Sequence, residues 1–323
     1  MGVTSPDDCF SAPQELVLHA DRATYLKGVA LSAGGMLVIS PDGLLLRLVE
    51  EASHWQVVFL RALGIFVAIT ALVLIRYRGR SVGMVRSLGW PGVWAAFGLM
   101  GANIGFVMAM LNTTVANALV ILACMPLFSA VFGWLLIRER VSRRTWISIA
   151  VAIVGIIIIF SGSIGGGNLL GDCIALLTAV CHGFALVQLR RVGNRDTTPV
   201  IALGALGAAT LALPLAGSLV YTLHDAGVIL FQGLLQMPLA IGLFMSGARF
   251  IPAAEVALFS LIETVLGPLW AWIGVGEVPG TLAVVGGVIV VGAVAANAAV
   301  GLLRAKKREP SRHQGEAAAV LDR

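Results

Sequence analysis

Two apolar runs, 253–275 and 281–303, meet at a Pro279-Gly280 turn, and this pairing constrains the fold more than any other feature of the sequence. A hydrocarbon core of about 30 Å needs about 20 helical residues, so each run is long enough to cross it. The first run carries Glu263 near its midpoint and closes on Trp270, Trp272 and Glu277. This reads as a membrane helical hairpin, and the chain contains the pattern twice. Residues 118–137 form an apolar run ending on Trp134, Glu139 follows, and after a short charged turn the run 146–160 completes the hairpin. One and the same shift superimposes Trp134 on Trp272 and Glu139 on Glu277. Identity elsewhere in the overlay is thin, but hairpin length, turn position and the W-x-x-x-x-E ending repeat together. That is the weak internal symmetry of a bundle built from two copies.

Composition fixes the class. With 58% apolar and 12% charged residues, the chain is far from soluble domains, which are about 25% charged. It is expected to be a polytopic membrane protein in contact with lipid. The 22 Lys and Arg outnumber the 17 Asp and Glu, yet the positives sit in short clusters between apolar runs rather than on an aromatic-interleaved surface. This excludes a nucleic-acid partner and points to membrane topology. Residues 1–22 mix Asp7, Asp8, Glu15 and Asp21 with little apolar character, so no cleaved signal peptide is expected. Cys9, Cys124, Cys173 and Cys181 have no metal-ligand or disulfide spacing and read as packing residues.

Ten spans are predicted: 26–46, 55–75, 91–111, 114–136, 146–160, 169–189, 200–220, 227–247, 253–275 and 281–303. Loops after even-numbered spans carry the arginines, among them Arg76, Arg78, Arg80, Arg86, Arg138, Arg140, Arg143, Arg144, Arg190, Arg191, Arg195 and Arg249. The intervening turns carry Glu50, Glu51, Asp225 and Glu277. The positive-inside rule then puts both termini in the cytoplasm. All seven Trp and all three Tyr fall near span ends, where amphipathic rings prefer the headgroup zone. The expected organisation is a polar leader (1–25), a first five-helix repeat (26–162), a second (163–303), and a basic, disordered tail (304–323). Five is odd, so the second repeat enters from the opposite side. The fold class is therefore all-α, ten transmembrane helices in two inverted five-helix repeats, and such repeats can exchange an outward-open for an inward-open form.

The blocks PLFSAVFGWLLIRERVSRRTWISIAVAIVGIIII from Pro126 and ARFIPAAEVALFSLIETVLGPLWAWIGVGEVPG from Ala248, with SPDGLLLRL from Ser40 and FLRA from Phe59, resemble the drug/metabolite transporter superfamily, and within it the EamA-type carriers of two repeats. The resemblance covers about residues 26–303. It implies a central cavity lined by the first four helices of each repeat, with the fifth and tenth spans peripheral. The sequence departs from that pattern at Glu263-Thr264, where relatives commonly have Glu-Pro, so a kink there would have to come from Gly267-Pro268.

Candidate substrate-binding residues follow from what lipid penalises. Glu263 lies about 15 Å deep, where an ionised carboxylate costs about 2.5–3.5 kcal/mol. It faces a cavity, pairs with a cation, is protonated, or makes a structural hydrogen bond. Arg61, about 9 Å inside its span, keeps its charge and needs an anion: Asp42, Glu263 or a substrate carboxylate. Arg47 is near enough to the interface to reach it and reads as structural. Asn103, His182, Gln232 and Gln236 need partners at mid-depth. Gln236 is the better lining candidate of these because the neighbouring Pro238 frees a carbonyl, whereas a lone helical His182 can simply bond a neighbour. Pro41, Pro126, Pro214, Pro238 and Pro268 interrupt spans, and Gly101 to Gly105 and Gly167 to Gly171 are GxxxG pairs, able to serve inside a monomer or between subunits.

No phosphate-binding loop, zinc-binding HExxH or GxSxG elbow is present, so an enzyme is not expected. The reading is an inner-membrane secondary carrier for a small organic metabolite: an amino acid, a derivative of one, or an amphipathic drug-like compound. Movement is by alternating access, without cofactor or metal, facilitative or proton-coupled. Export is preferred on the resemblance alone, and monomer and homodimer are both open. The alternatives are an intramembrane enzyme using Glu263 and His182, and a non-transporting sensor or scaffold.

Overall fold

Hydrocarbon offers backbone amides no water, so a crossing segment must bond them internally, and this chain does so with helices. The computed structural model of the protein describes residues 14–77, 81–139, 141–163, 168–193, 195–251 and 253–300. The expected start of the leader, Cys9, Arg78, Arg80, Arg140 and the basic tail lie outside the described residues.

The first span, Thr24–Arg47, consists of the later part of α1 (Gln14–Ile39) and α2 (Asp42–Arg47). Then come α3 (His54–Tyr77), a short α4 (Ser81–Ser87), and α5 (Gly89–Asn112) as the third span. The fourth span is α6 (Val115–Leu122) with α7 (Met125–Ile137), and the fifth is α8 (Arg143–Ser163). The second half runs through α9 (Leu169–Val192), α10 (Thr198–Ala212), α11 (Leu223–Leu230) joined to α12 (Met237–Gly247) by a π-helical segment Phe231–Gln236, α13 (Ala253–Val275) and α14 (Thr281–Val300). Among the described residues, nine helices or joined helices meet the length and hydropathy of a membrane crossing. The remaining one, α13, has 23 residues and supplies the tenth crossing. The fold is all-α, ten spans in two inverted halves.

Proline acts where the sequence places it, with one exception. The first span breaks between Ile39 and Asp42 at Pro41, the fourth between Leu122 and Met125 next to Pro126, and α10 tightens into a 3-10 turn, Leu213–Leu215, at Pro214. The π-helical segment leads into Pro238. Pro268 lies inside the uninterrupted α13.

The core of the bundle is the crossing of α5 with α9. A Cβ built on Gly105 would run into Thr178 Oγ1, and one on Gly101 would touch Cys181 Sγ at 3.1 Å. This GxxxG pair thus joins two helices of one chain. Gly171 of α9 rests on the end of α5: its Cβ would fall 2.5 Å from the Asn112 carbonyl oxygen. Backbone cannot swing aside as a side chain can. Gly171→Ala is expected to cost about 2 kcal/mol, read as a fall in Tm in detergent; Gly34→Ala, with nothing within 4 Å of the added carbon, should leave Tm unchanged. Spans five and ten pack on each other at Gly155 and Gly286. They expose Ile153, Val154, Ile157, Val284, Val285 and Val288 outward, as lipid-facing surfaces require.

Candidate functional site

A cavity of about 650 Å³ lies between the two halves. Its described wall comes from spans one to four and six to nine, and spans five and ten contribute nothing to it, the arrangement that the resemblance implies. The wall runs from Leu119 and Leu122 in α6 out to Arg190, Arg195 and Thr197 at the junction of α9 and α10. The cavity therefore reaches the face that carries the arginine-rich loops.

Deep in the wall sits a neutralised charge cluster. The break at Pro41 starts α2 with Asp42 in its first turn, where free backbone N–H groups favour a carboxylate. Arg61 of α3 donates from Nη2 to Asp42 Oδ2 at 2.7 Å, and both residues are 0% exposed. Its guanidinium lies 5.3 Å from the Phe106 ring centroid, a cation–π contact. The third member, Gln232, comes from the π-helical segment. A Cβ on Gly233 would meet the Arg61 carbonyl oxygen at 2.6 Å, and one on Gly64 would meet Gly233 Cα at 3.1 Å. Only two glycines allow α3 and this segment to approach so closely. Gln232 Nε2 then donates to Asp42 Oδ1 at 2.9 Å and to the Asp42 carbonyl at 3.0 Å. Of the anions weighed for Arg61, Asp42 is the partner.

Away from the mouth, Arg61, Asn103, His182 and Glu263, from four different spans, line the same space, with Thr264 next to Glu263. Glu263 is the one acid among the described lining residues. Arg61 Nε, Asn103 Oδ1 and His182 Nδ1 are buried without a hydrogen-bond partner in the protein. Buried polar atoms usually find a partner, and of the eight among the described residues that do not, three gather on this cavity. Apart from Thr264 and the mouth residues Arg190, Arg195 and Thr197, the rest of the described wall is apolar and adaptable, with Met36, Met125, Met237 and Met245 beside Phe106 and Phe244. Two predicted site residues stand elsewhere. Asp42 lies behind Arg61, and Gln236 donates to the Val38 carbonyl at 3.1 Å, outside the described lining.

The opposite end is closed by polar contacts that the sequence did not reveal. Arg47 folds onto Glu277, Nε to Oε2 at 2.8 Å, and donates to the Thr113 carbonyl. The Val115 N–H donates to Glu277 Oε1. Asp172 gathers Thr113, Asn117 and Ser163. Asp225 accepts from the backbone N–H groups of Glu50, Glu51 and Ala52. The W-x-x-x-x-E repeat was the one available signal that Glu277 mattered.

The sequence pattern of the EamA-like transporter family matches residues 26–161 and again 169–298. The Pseudomonas aeruginosa protein named Pseudopaline exporter CntI is 29% identical over 273 residues, 80% of this chain and 91% of its own length. Uncharacterized transporter YdfC of Bacillus subtilis is 25% identical over 190 residues, 56% of this chain and 60% of its own. A solved crystal structure of a protein 19% identical in sequence superposes with a TM-score of 0.61 over 87% of this chain and 96% of that one, a likeness of fold.

Proposed function

Because the chain belongs to the EamA-like transporter family, within the drug/metabolite transporter superfamily, we propose that it exports a small organic solute by alternating access and that the cavity between its halves is the solute site. It is a multi-pass membrane transporter and not an enzyme. On our reading it sits in the inner membrane with both termini in the cytoplasm, because the arginine-bearing loops share one face. The cavity then opens inward, which makes this the solute-loading conformation.

The observation that carries the reading is the set of buried polar atoms without protein partners, on one largely apolar cavity closed at one end only. Arg61 is neutralised by Asp42, which leaves Glu263 as the acid without a cationic partner at mid-depth. An amphipathic solute with a cationic nitrogen fits such a wall: the nitrogen meets Glu263, its polar atoms meet Asn103, His182 and Arg61 Nε, and its apolar part packs on Met and Phe. An amino acid derivative has this chemistry, as does a drug-like amine. Likeness to an exporter supports the outward direction.

The test is reconstitution. Candidate solutes are first ranked by their effect on Tm, since a ligand that binds only the folded state raises it. The best are then loaded into liposomes containing the purified protein. The expected result is flux of chemically unchanged solute, faster than in protein-free liposomes. Chemical conversion of the solute, or equal flux in both preparations, would overturn the reading.

A further inference from the structure

Alternating access needs two barriers that close in turn, and the ends of four spans carry a matched pair of them. At the acidic face, Glu277 follows α13 and holds Arg47, the last residue of α2, at 2.8 Å; the two side chains are 19% and 23% exposed. At the basic face, Glu139 follows α7 and meets Arg190, near the end of α9, at 3.3 Å, with 56% and 54% exposed. The two pairs are built alike. In each, a glutamate just past the fourth span of one half meets an arginine at the end of the first span of the other half. The backbone repeats as well. The residue before each glutamate is left-handed, with φ 56° at Arg138 and 71° at Gly276. Each glutamate N–H bonds the carbonyl six residues back, that of Gly133 or Ala271. The secondary contacts differ: Arg47 reaches the Thr113 carbonyl in its own half, whereas Arg190 reaches Ser129 Oγ, in the other half, at 3.3 Å.

Sequence overlay and spatial equivalence therefore agree for the two glutamates, and the arginines share the position at a first-span end, yet the two copies are in different states. One is drawn together, partly buried and reinforced by the Val115 N–H. The other is slack and solvated, and its arginine lines the cavity mouth. A partly buried, multiply bonded pair is worth more than an exposed one, so each pair favours the conformation in which it is drawn together. We propose that Arg47–Glu277 and Arg190–Glu139 are one latch in two copies, engaged alternately: the first holds the carrier inward-open, and the second engages as the first releases. This rests on the carrier reading above.

The expected signature is two displacements of opposite sign. Reporter cysteines are introduced singly at Leu119, about 6 Å below Val115 along α6, and at Thr197 in the mouth, in full-length protein whose native cysteines are replaced. Each is labelled by an impermeant maleimide, the first from the acidic face and the second from the basic face of sealed vesicles. Glu277→Gln should raise labelling at Leu119→Cys about five-fold and lower it at Thr197→Cys. Glu139→Gln should lower labelling at Leu119→Cys and raise it at Thr197→Cys. Should Glu277→Gln fail to fold, the exchange Arg47→Glu with Glu277→Arg restores the pair and should return parental labelling. Anything other than opposite displacement by the two glutamate variants, or a failed restoration by the exchange, overturns the latch. Labelling needs no solute, so opposite displacement without flux would fail the carrier reading and spare the latch, and flux without displacement would do the reverse.

Discussion

Arg61→Met is expected to lower folding stability by about 3–5 kcal/mol, the cost of leaving one member of a buried ion pair uncompensated. The substitution keeps an unbranched side chain of similar length, so little of the loss comes from packing. What it removes is the cation opposite Asp42, a carboxylate with no exposed surface, and the contact with Phe106. Gln232 remains as a neutral donor and cannot replace the charge. Asp42→Leu in the same chain should recover most of the loss, because two apolar residues need no mutual compensation. Denaturant unfolding of the two variants in detergent decides the matter. If the single variant were as stable as the parent, Arg61 and Asp42 would not form the internal pair described here, and Arg61 would be free to clamp an anionic solute instead.

Glu263→Gln should reduce solute flux at least about ten-fold, the loss of one charge-assisted hydrogen bond of about 1.5–3 kcal/mol, while Tm stays near the parental value. Glutamine keeps the volume and removes the charge, so the change isolates electrostatics. If the carboxylate holds a cationic nitrogen, flux in the parent falls as the pH is lowered and the carboxylate takes a proton. The variant has no such group and should lose this slope. Flux measured at two pH values in each protein is sufficient. Parental flux with a parental slope in Glu263→Gln would remove Glu263 from the site.

These two acids illustrate what a sequence can convey about a membrane protein. Both Asp42 and Glu263 stand out in apolar runs, because any charge there needs an explanation. Their roles separate only in three dimensions. Asp42 comes to face Arg61 because Pro41 breaks the first span and because Gly64 and Gly233 let a π-helical segment deliver Gln232. Glu263 is left lining the cavity, on an α13 that continues past Pro268 without a break. Gln236, the better-placed glutamine on sequence grounds, is occupied by the Val38 carbonyl. Its neighbour on the same helix face, four residues earlier, holds Asp42 instead. Arg47, read as an interfacial anchor, is half of the closed barrier.

Length and apolar composition alone determined the ten crossings, and the alternation of charged loops with the odd number of spans per half determined their inversion, because lipid forbids unbonded backbone and so makes every crossing helical. Which polar groups meet was decided by the tertiary structure. Contacts such as Arg61 with Asp42 or Arg47 with Glu277 depend on helix rotation, breaks and glycine crossings that place residues within 3 Å, and no local pattern encodes the rotation of one helix against another.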